Sequence, residues 1–188
     1  MKKGFTLIET LVAITILMIS VVGPLTIASK GLVAAAGSRD QVTASYLAQD
    51  VMESIKNIRD GDLLVNSSTG WNTFMGTYSS CTRTAPCGLE TAPDWITNDP
   101  DSTSCAVNNY RLYKASITIN NAIYSYYTCN NLVDNIATQF YRSFYLTDLS
   151  SGGTDPASAL LTVNVSWKEG NAPSSQVVLN SVLFNTTR

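Results

Sequence analysis

The sequence predicts an α+β fold in which one long N-terminal helix precedes a C-terminal antiparallel sheet. Residues 10–29 contain no charged side chain, and a helix of that length spans about 30 Å, the thickness of a hydrocarbon core. Residues 47–58 repeat apolar side chains three or four positions apart, which indicates an amphipathic helix. Beyond residue 112 the chain alternates apolar and polar residues in short segments, which is typical of strands.

The first helical segment, residues 5–29, is predicted to cross a membrane. Lys2 and Lys3 precede it, and positive residues favour the cytoplasmic side of a membrane helix. We therefore expect a single-pass protein with a cytoplasmic N-terminus. Pro24 lies inside this apolar run. A proline removes a backbone donor and crowds the preceding turn, so a kink is predicted there.

Three interpretations of this N-terminus compete, and the third rests on a motif described at the end of this section. A cleaved secretory signal requires small residues after the apolar run, and Ala34–Ala36 qualify, but the run is longer than a typical signal core. A simple membrane anchor explains the lysines and the length. It does not explain Glu9, a carboxylate placed just inside the apolar run, where burying a charge is costly.

The second helical segment, residues 30–60, is predicted to pack on the C-terminal sheet, and we call this globular part of the protein the head. Gly61 is predicted to be the C-cap of the helix. One face of this segment carries an apolar stripe that needs a sheet to cover it. The stripe consists of Leu47, Val51, Ile55 and Ile58.

The remaining chain divides by composition. Residues 61–109 are rich in Ser, Thr, Gly, Asn, Asp and Pro, which predicts a loop-rich variable region. Residues 110–188 are predicted to form the antiparallel sheet, arranged as a meander with short connections. Its strands cover residues 113–119, 123–129, 140–146, 161–168 and 177–184, with Asn120-Asn121 as the first turn. In the third strand Arg142 alternates in phase with Phe140 and Phe144.

The cysteines predict an oxidising compartment. All four, Cys81, Cys87, Cys105 and Cys129, follow the apolar run, and an even number in a translocated region is typical of disulfides. Three pairings are possible. We favour Cys81–Cys87 with Cys105–Cys129, because these pairs close the shorter loops.

Composition excludes several kinds of function. The sequence has no histidine, which excludes a His-based catalytic triad and most zinc sites. The net charge is −2, so we expect no nucleic-acid partner. The segment Asn98–Ser102 is oxygen-rich enough for calcium, but a plain turn is the better interpretation. Pairs such as Ser54 and Lys56 cannot share a helix face, so we expect no enzyme, no cofactor and no metal.

The segment Lys2-Lys3-Gly4-Phe5-Thr6-Leu7-Ile8-Glu9 resembles the prepilin signature of bacterial type IV pilins and type II secretion pseudopilins. The resemblance implies that residues 1–4 are a leader, that a prepilin peptidase cleaves after Gly4, and that Phe5 is N-methylated. It also implies the pilin fold, and a role for Glu9 in pairing with the terminal amine of a neighbouring subunit. The partners would be other pilin subunits, the inner-membrane assembly platform and membrane lipid.

The stretch from Tyr46 to Ile55 resembles the corresponding helix of minor pilins and minor pseudopilins. This favours a minor pilin that acts in assembly initiation or at the tip, first in the inner membrane and then in an extracellular filament. A minor pseudopilin of type II secretion and a membrane-anchored extracytoplasmic binding protein that never polymerises remain as alternatives.

Overall fold

A computed structural model describes residues 6–91, 105, 110–129, 131, 134–149, 158–168 and 174–186. The chain divides into two compact units, Met1–Val42 and Thr43–Arg188. Helix α1, Leu7–Val65, begins in the first unit and ends in the second. The second unit also contains helix α2 and five strands, namely α2 Gly70–Thr77, β1 Arg111–Ile119, β2 Ala122–Thr128, β3 Ile136–Asp148, β4 Ser158–Trp167 and β5 Ser175–Phe184. The predicted α+β layout is confirmed.

The strands form one antiparallel sheet in the order β2-β1-β3-β4-β5. The predicted meander is wrong at its second connection. Strands β1 and β2 pair as predicted, but β3 pairs with β1 rather than with β2. Burial explains the order. Strand β2 is exposed over its first four residues and suits an edge, whereas β1 carries the fully buried Leu112 and lies between two neighbours. Asn120 and Asn121 have positive φ values of 49° and 64°, as a tight hairpin turn requires.

The core of the second unit lies between the later part of α1 and one face of the sheet. Leu47, Val51 and Ile55 are buried in it, and Ile58 packs against it, so the predicted apolar stripe faces the sheet. Alternate residues of β3 and β4 supply the other side of the core, since alternate side chains of a strand point to one face. These residues are Phe140, Phe144, Leu146, Leu161, Val163 and Val165.

Helix α1 ends at Val65, not before Gly61. The predicted C-cap is wrong because Leu63, two residues beyond Gly61, is buried in the core and favours the extra turn. Asn66 then stops the helix, since its Oδ1 accepts hydrogen bonds from the amides of Ser68 and Thr69.

The region predicted to be loop-rich, residues 61–109, contains helix α2. Its Trp71 and Phe74 enter the core. At position 70 a Cβ would lie only 2.3 Å from the backbone oxygen of Asp62, so the close approach of these two segments requires glycine.

Candidate functional site

The first unit presents an apolar helix surface. Large apolar side chains from Leu7 to Val33 are 49–82% exposed. Within the described residues, α1 is the one helix that is long and apolar enough to cross a membrane. Glu9 is exposed near its start, and it is the single charged residue between Lys3 and Lys30. Gly4 and Phe5, the predicted cleavage and methylation residues, lie outside the described residues.

The polar side chains of this apolar segment bond to its own backbone. The hydroxyls of Thr10, Thr15, Ser20 and Thr26 each donate to the carbonyl three residues earlier, at 2.7–2.8 Å. Such bonds satisfy a hydroxyl where no water is available, as a hydrocarbon environment requires. The helix continues through Pro24. The kink expected there remains a prediction.

In the second unit a buried guanidinium joins three segments, and we call this group the Arg142 clasp. Arg142 on β3 is 1% exposed. Its Nη1 donates to the Asp50 carboxylate of α1 at 2.9 Å and to the Leu47 carbonyl at 3.4 Å. Its Nη2 donates to the Leu89 carbonyl at 3.1 Å and to the Thr91 hydroxyl at 2.9 Å. The clasp therefore connects α1, residues 89–91 and the sheet.

Opposing effects act on the pKa of the Arg142 guanidinium. Burial lowers the pKa of the Arg142 guanidinium, while the charge of Asp50, its hydrogen bond and the more distant Glu90 oppose this effect. The Asp50 side chain is 47% exposed, so its carboxylate keeps contact with water while it holds the buried cation. It also accepts a hydrogen bond from the Thr91 hydroxyl.

Two disulfides and Glu90 hold the segment that contributes to the clasp. The structure pairs Cys81 with Cys87 and Cys105 with Cys129, which is the favoured short-loop pairing. The Glu90 carboxylate accepts hydrogen bonds from the Thr128 hydroxyl at 2.6 Å and the Cys129 amide at 2.9 Å.

The chain packs closely beside the disulfide between Cys105 and Cys129. A Cβ on Gly88 would lie 2.0 Å from Cys105 Cβ, so only glycine fits there.

Comparison with known proteins supplies the deciding observation. Residues 1–23 match the family model of the prokaryotic N-terminal methylation motif, the prepilin-type signature of type IV pilins and pseudopilins. This chain carries a prepilin-type N-terminus. No curated protein and no solved structure matches it. The prepilin-type signature supports a pilin or pseudopilin subunit, processed by prepilin peptidase and assembled with other subunits. Together with the apolar part of α1, it fits single-pass anchoring in the inner membrane.

The clasp of this prepilin-type chain was missed by sequence reasoning. One signal was present: Arg142 falls on the face of its strand that Phe140 and Phe144 share, and that face is buried. A charged residue at an inward strand position requires hydrogen-bond partners. The sequence did not show that Asp50 and Leu89 would supply them from elsewhere in the chain. The Asn98–Ser102 loop lies outside the described residues.

Proposed function

We propose that this protein is a minor pilin, a structural subunit that primes assembly of a type IV pilus or related filament or occupies its tip. The observation that carries the proposal is the match over residues 1–23, together with an apolar helix surface on which Glu9 is the single charged residue before Lys30. An apolar helix with no covering partner in its own unit needs lipid before assembly and neighbouring helices after it.

The mechanism depends on the leader. Cleavage after Gly4 creates an amino terminus at Phe5, four residues before Glu9, which is about 6 Å along a helix. When helices pack together, the Glu9 carboxylate loses water and needs a cation. The N-methylated amine of a neighbouring subunit provides that cation. The charge pair then sets the register between subunits, and apolar packing supplies most of the attraction.

Minor rather than major status is supported by the likeness of residues 46–55 to minor subunits. The structure adds a role for one residue of this stretch, since Asp50 holds Arg142 in the clasp. We propose a structural rather than a catalytic role. A retraction ATPase encoded nearby would favour a pilus, whereas an outer-membrane secretin with secretion genes would favour a pseudopilin.

The assembly role is tested by Glu9→Ala. We expect membrane insertion to persist, because the helix becomes more apolar, and incorporation into sheared filaments to fall at least about tenfold, because the intersubunit charge pair is lost. Thr10→Ala is the matched control, since it changes the adjacent exposed residue without removing a charge. Unchanged incorporation of Glu9→Ala would contradict the proposal and favour an anchored protein that does not polymerise.

Processing is tested separately by mass spectrometry of the mature protein. We expect a chain that begins at a methylated Phe5. An intact Met1, or a chain that begins between Ala34 and Gly37, would contradict prepilin processing.

A further inference from the structure

Residues 88–91 form a short segment that we call the strap, and it supplies two acceptors of the Arg142 clasp. The Leu89 carbonyl and the Thr91 hydroxyl each accept a hydrogen bond from Nη2 of Arg142, at 3.1 and 2.9 Å. The acceptors of Nη1 both belong to α1. The guanidinium therefore holds α1 with one terminal nitrogen and the strap with the other.

The strap is not fixed by the ladder of the sheet. Cys87, which precedes it, exchanges two backbone hydrogen bonds with Phe144 of β3, both at 2.8 Å. Between described residues, no backbone-to-backbone hydrogen bond continues this pairing into the strap. The Leu89 side chain is buried in the core, but apolar contact is non-directional. It therefore does not by itself direct the two acceptors of the strap at Arg142.

The strap also contacts the residues around one disulfide. The Glu90 carboxylate accepts hydrogen bonds from the Thr128 hydroxyl at 2.6 Å and from the Cys129 amide at 2.9 Å. Cys129 is bonded to Cys105, and the Cβ of Cys105 leaves no room for a side chain at Gly88. The disulfide-bonded pair therefore touches the strap on both sides of its buried leucine.

The orientation of the strap decides whether the Arg142 guanidinium is satisfied. Holding Glu90 limits the direction of the Leu89 carbonyl, because this carbonyl and the Glu90 nitrogen belong to one planar peptide unit. Arg142 is 1% exposed, and among the described residues its Nε has no hydrogen-bond partner. Loss of the strap would leave Nη2 and Nε both buried without an acceptor, which is costly for a charged group.

We propose that the Cys105–Cys129 disulfide is a positioning element for the Arg142 clasp and controls how firmly the head part of α1 is docked on the sheet. With the disulfide formed, Glu90 is held and the strap presents its two acceptors to Arg142. Without it, the strap turns away, the guanidinium loses the acceptors of Nη2, and this part of α1 opens locally. This role lies within the head and does not depend on assembly into a filament.

The proposal makes the docking of α1 dependent on oxidation of one pair of cysteines. Formation of the Cys105–Cys129 bond oxidises two thiols, and a disulfide donor takes up the two electrons and two protons as it becomes a dithiol. The Cys81–Cys87 bond has no such role, because Cys87 keeps its backbone hydrogen bonds with Phe144 when that bond is absent.

The test measures hydrogen exchange by mass spectrometry on the full-length protein in detergent micelles. Removing a disulfide also favours the unfolded state, and this effect speeds exchange throughout the head. The exchange rate of residues 47–55 in α1 is therefore divided by that of residues 158–167 in β4, because a global change alters both equally. We expect Cys105→Ser combined with Cys129→Ser to raise this ratio at least about tenfold, because α1 loses its charged hydrogen bonds.

Two further variants show whether the disulfide acts through the strap. Arg142→Met removes the clasp and should raise the ratio to a similar extent. Glu90→Ala breaks the link between the disulfide and the strap and should do the same. In either background, removal of the Cys105–Cys129 bond should then raise the ratio by less than about twofold, because coupled changes are not additive.

Two controls separate positioning from general support of the fold. Glu90→Gln should leave the ratio unchanged within about twofold, because both donors meet the single oxygen Oε2 and a carboxamide oxygen can accept two hydrogen bonds. Cys81→Ser combined with Cys87→Ser also removes a disulfide. It should speed exchange in both segments and leave their ratio unchanged.

Four results would overturn the proposal. They are an unchanged ratio after loss of the Cys105–Cys129 bond, an equal rise after loss of the Cys81–Cys87 bond, and a full additional rise from loss of Cys105–Cys129 in the Arg142→Met protein. The fourth is an unchanged ratio in Glu90→Ala. This variant keeps both disulfides, so it decides the question even if the cysteine variants fail to fold.

Discussion

The two units of this protein contain similar apolar side chains but expose them to solvent to very different extents. In the first unit Ile16 and Leu25 are 63% and 67% exposed, whereas in the second unit Ile55 of the same helix is fully buried. The difference lies in what surrounds the helix rather than in the residues themselves. Residues 47–58 have a sheet face of their own chain to cover them. Among the described residues the apolar part of the first unit has no such face, so we expect its stability to depend on lipid or on other subunits.

The units also treat charge differently. Arg142 is buried, and four groups of its own unit accept hydrogen bonds from it. Glu9 is exposed, and among the described residues no cation forms a salt bridge with it. Both terminal nitrogens of Arg142 therefore find acceptors within their own unit, while we propose that Glu9 finds its partner on a neighbouring subunit.

The largest expected effect tests whether apolar side chains stabilise only the second unit. Phe144 is fully buried, whereas Leu17 is 63% exposed. Phe144→Ala should lower the free energy of unfolding of the head by about 4 kcal/mol, because it leaves a cavity. Leu17→Ala should change it by less than about 0.5 kcal/mol. Tryptophan fluorescence during urea unfolding in micelles measures this, since every tryptophan follows residue 43. Equal losses would remove the distinction between the units.

A smaller effect tests the Arg142 clasp. Arg142→Met should lower the free energy of unfolding of the head by about 3 kcal/mol, because Asp50, Leu89 and Thr91 lose their donor. Arg59→Met is the control. Arg59 forms an ion pair with its neighbour Asp60, and the two side chains are 15% and 54% exposed. Because Asp60 stays in contact with water, we expect this pair to contribute less than about 1 kcal/mol. An Arg142→Met protein as stable as the wild type would mean that apolar packing alone holds α1 on the sheet.

The smallest effect locates the end of the helix within the second unit. Gly61 is inside α1, and a Cβ there would meet nothing within 4 Å. Gly61→Ala should therefore stabilise the head by about 0.5–1 kcal/mol. Gly70→Ala should destabilise it, because its Cβ would overlap the Asp62 backbone. Destabilisation by Gly61→Ala in thermal unfolding would show that Gly61 is a left-handed cap after all.

Features that depend on neighbours in sequence were predictable. The apolar stripe of α1, all five strands and the Asn120-Asn121 turn follow from periodicity and turn chemistry, which are local. The end of α1 was not predictable, because it depends on the burial of Leu63 in a core whose other residues are distant in the sequence. The position of β3 beside β1 likewise depends on which strand best tolerates an edge.

The sequence by itself determined the class of N-terminus, because a motif read over residues 1–23 needs no tertiary contact to be recognised. It also determined where the long apolar helix lies and which cysteines close short loops. Only the tertiary structure decided that Arg142 is held by Asp50, Leu89 and Thr91, and that β3 pairs with β1. Both features join residues far apart in the chain, and they exist only once the sheet order and the packing of α1 are established.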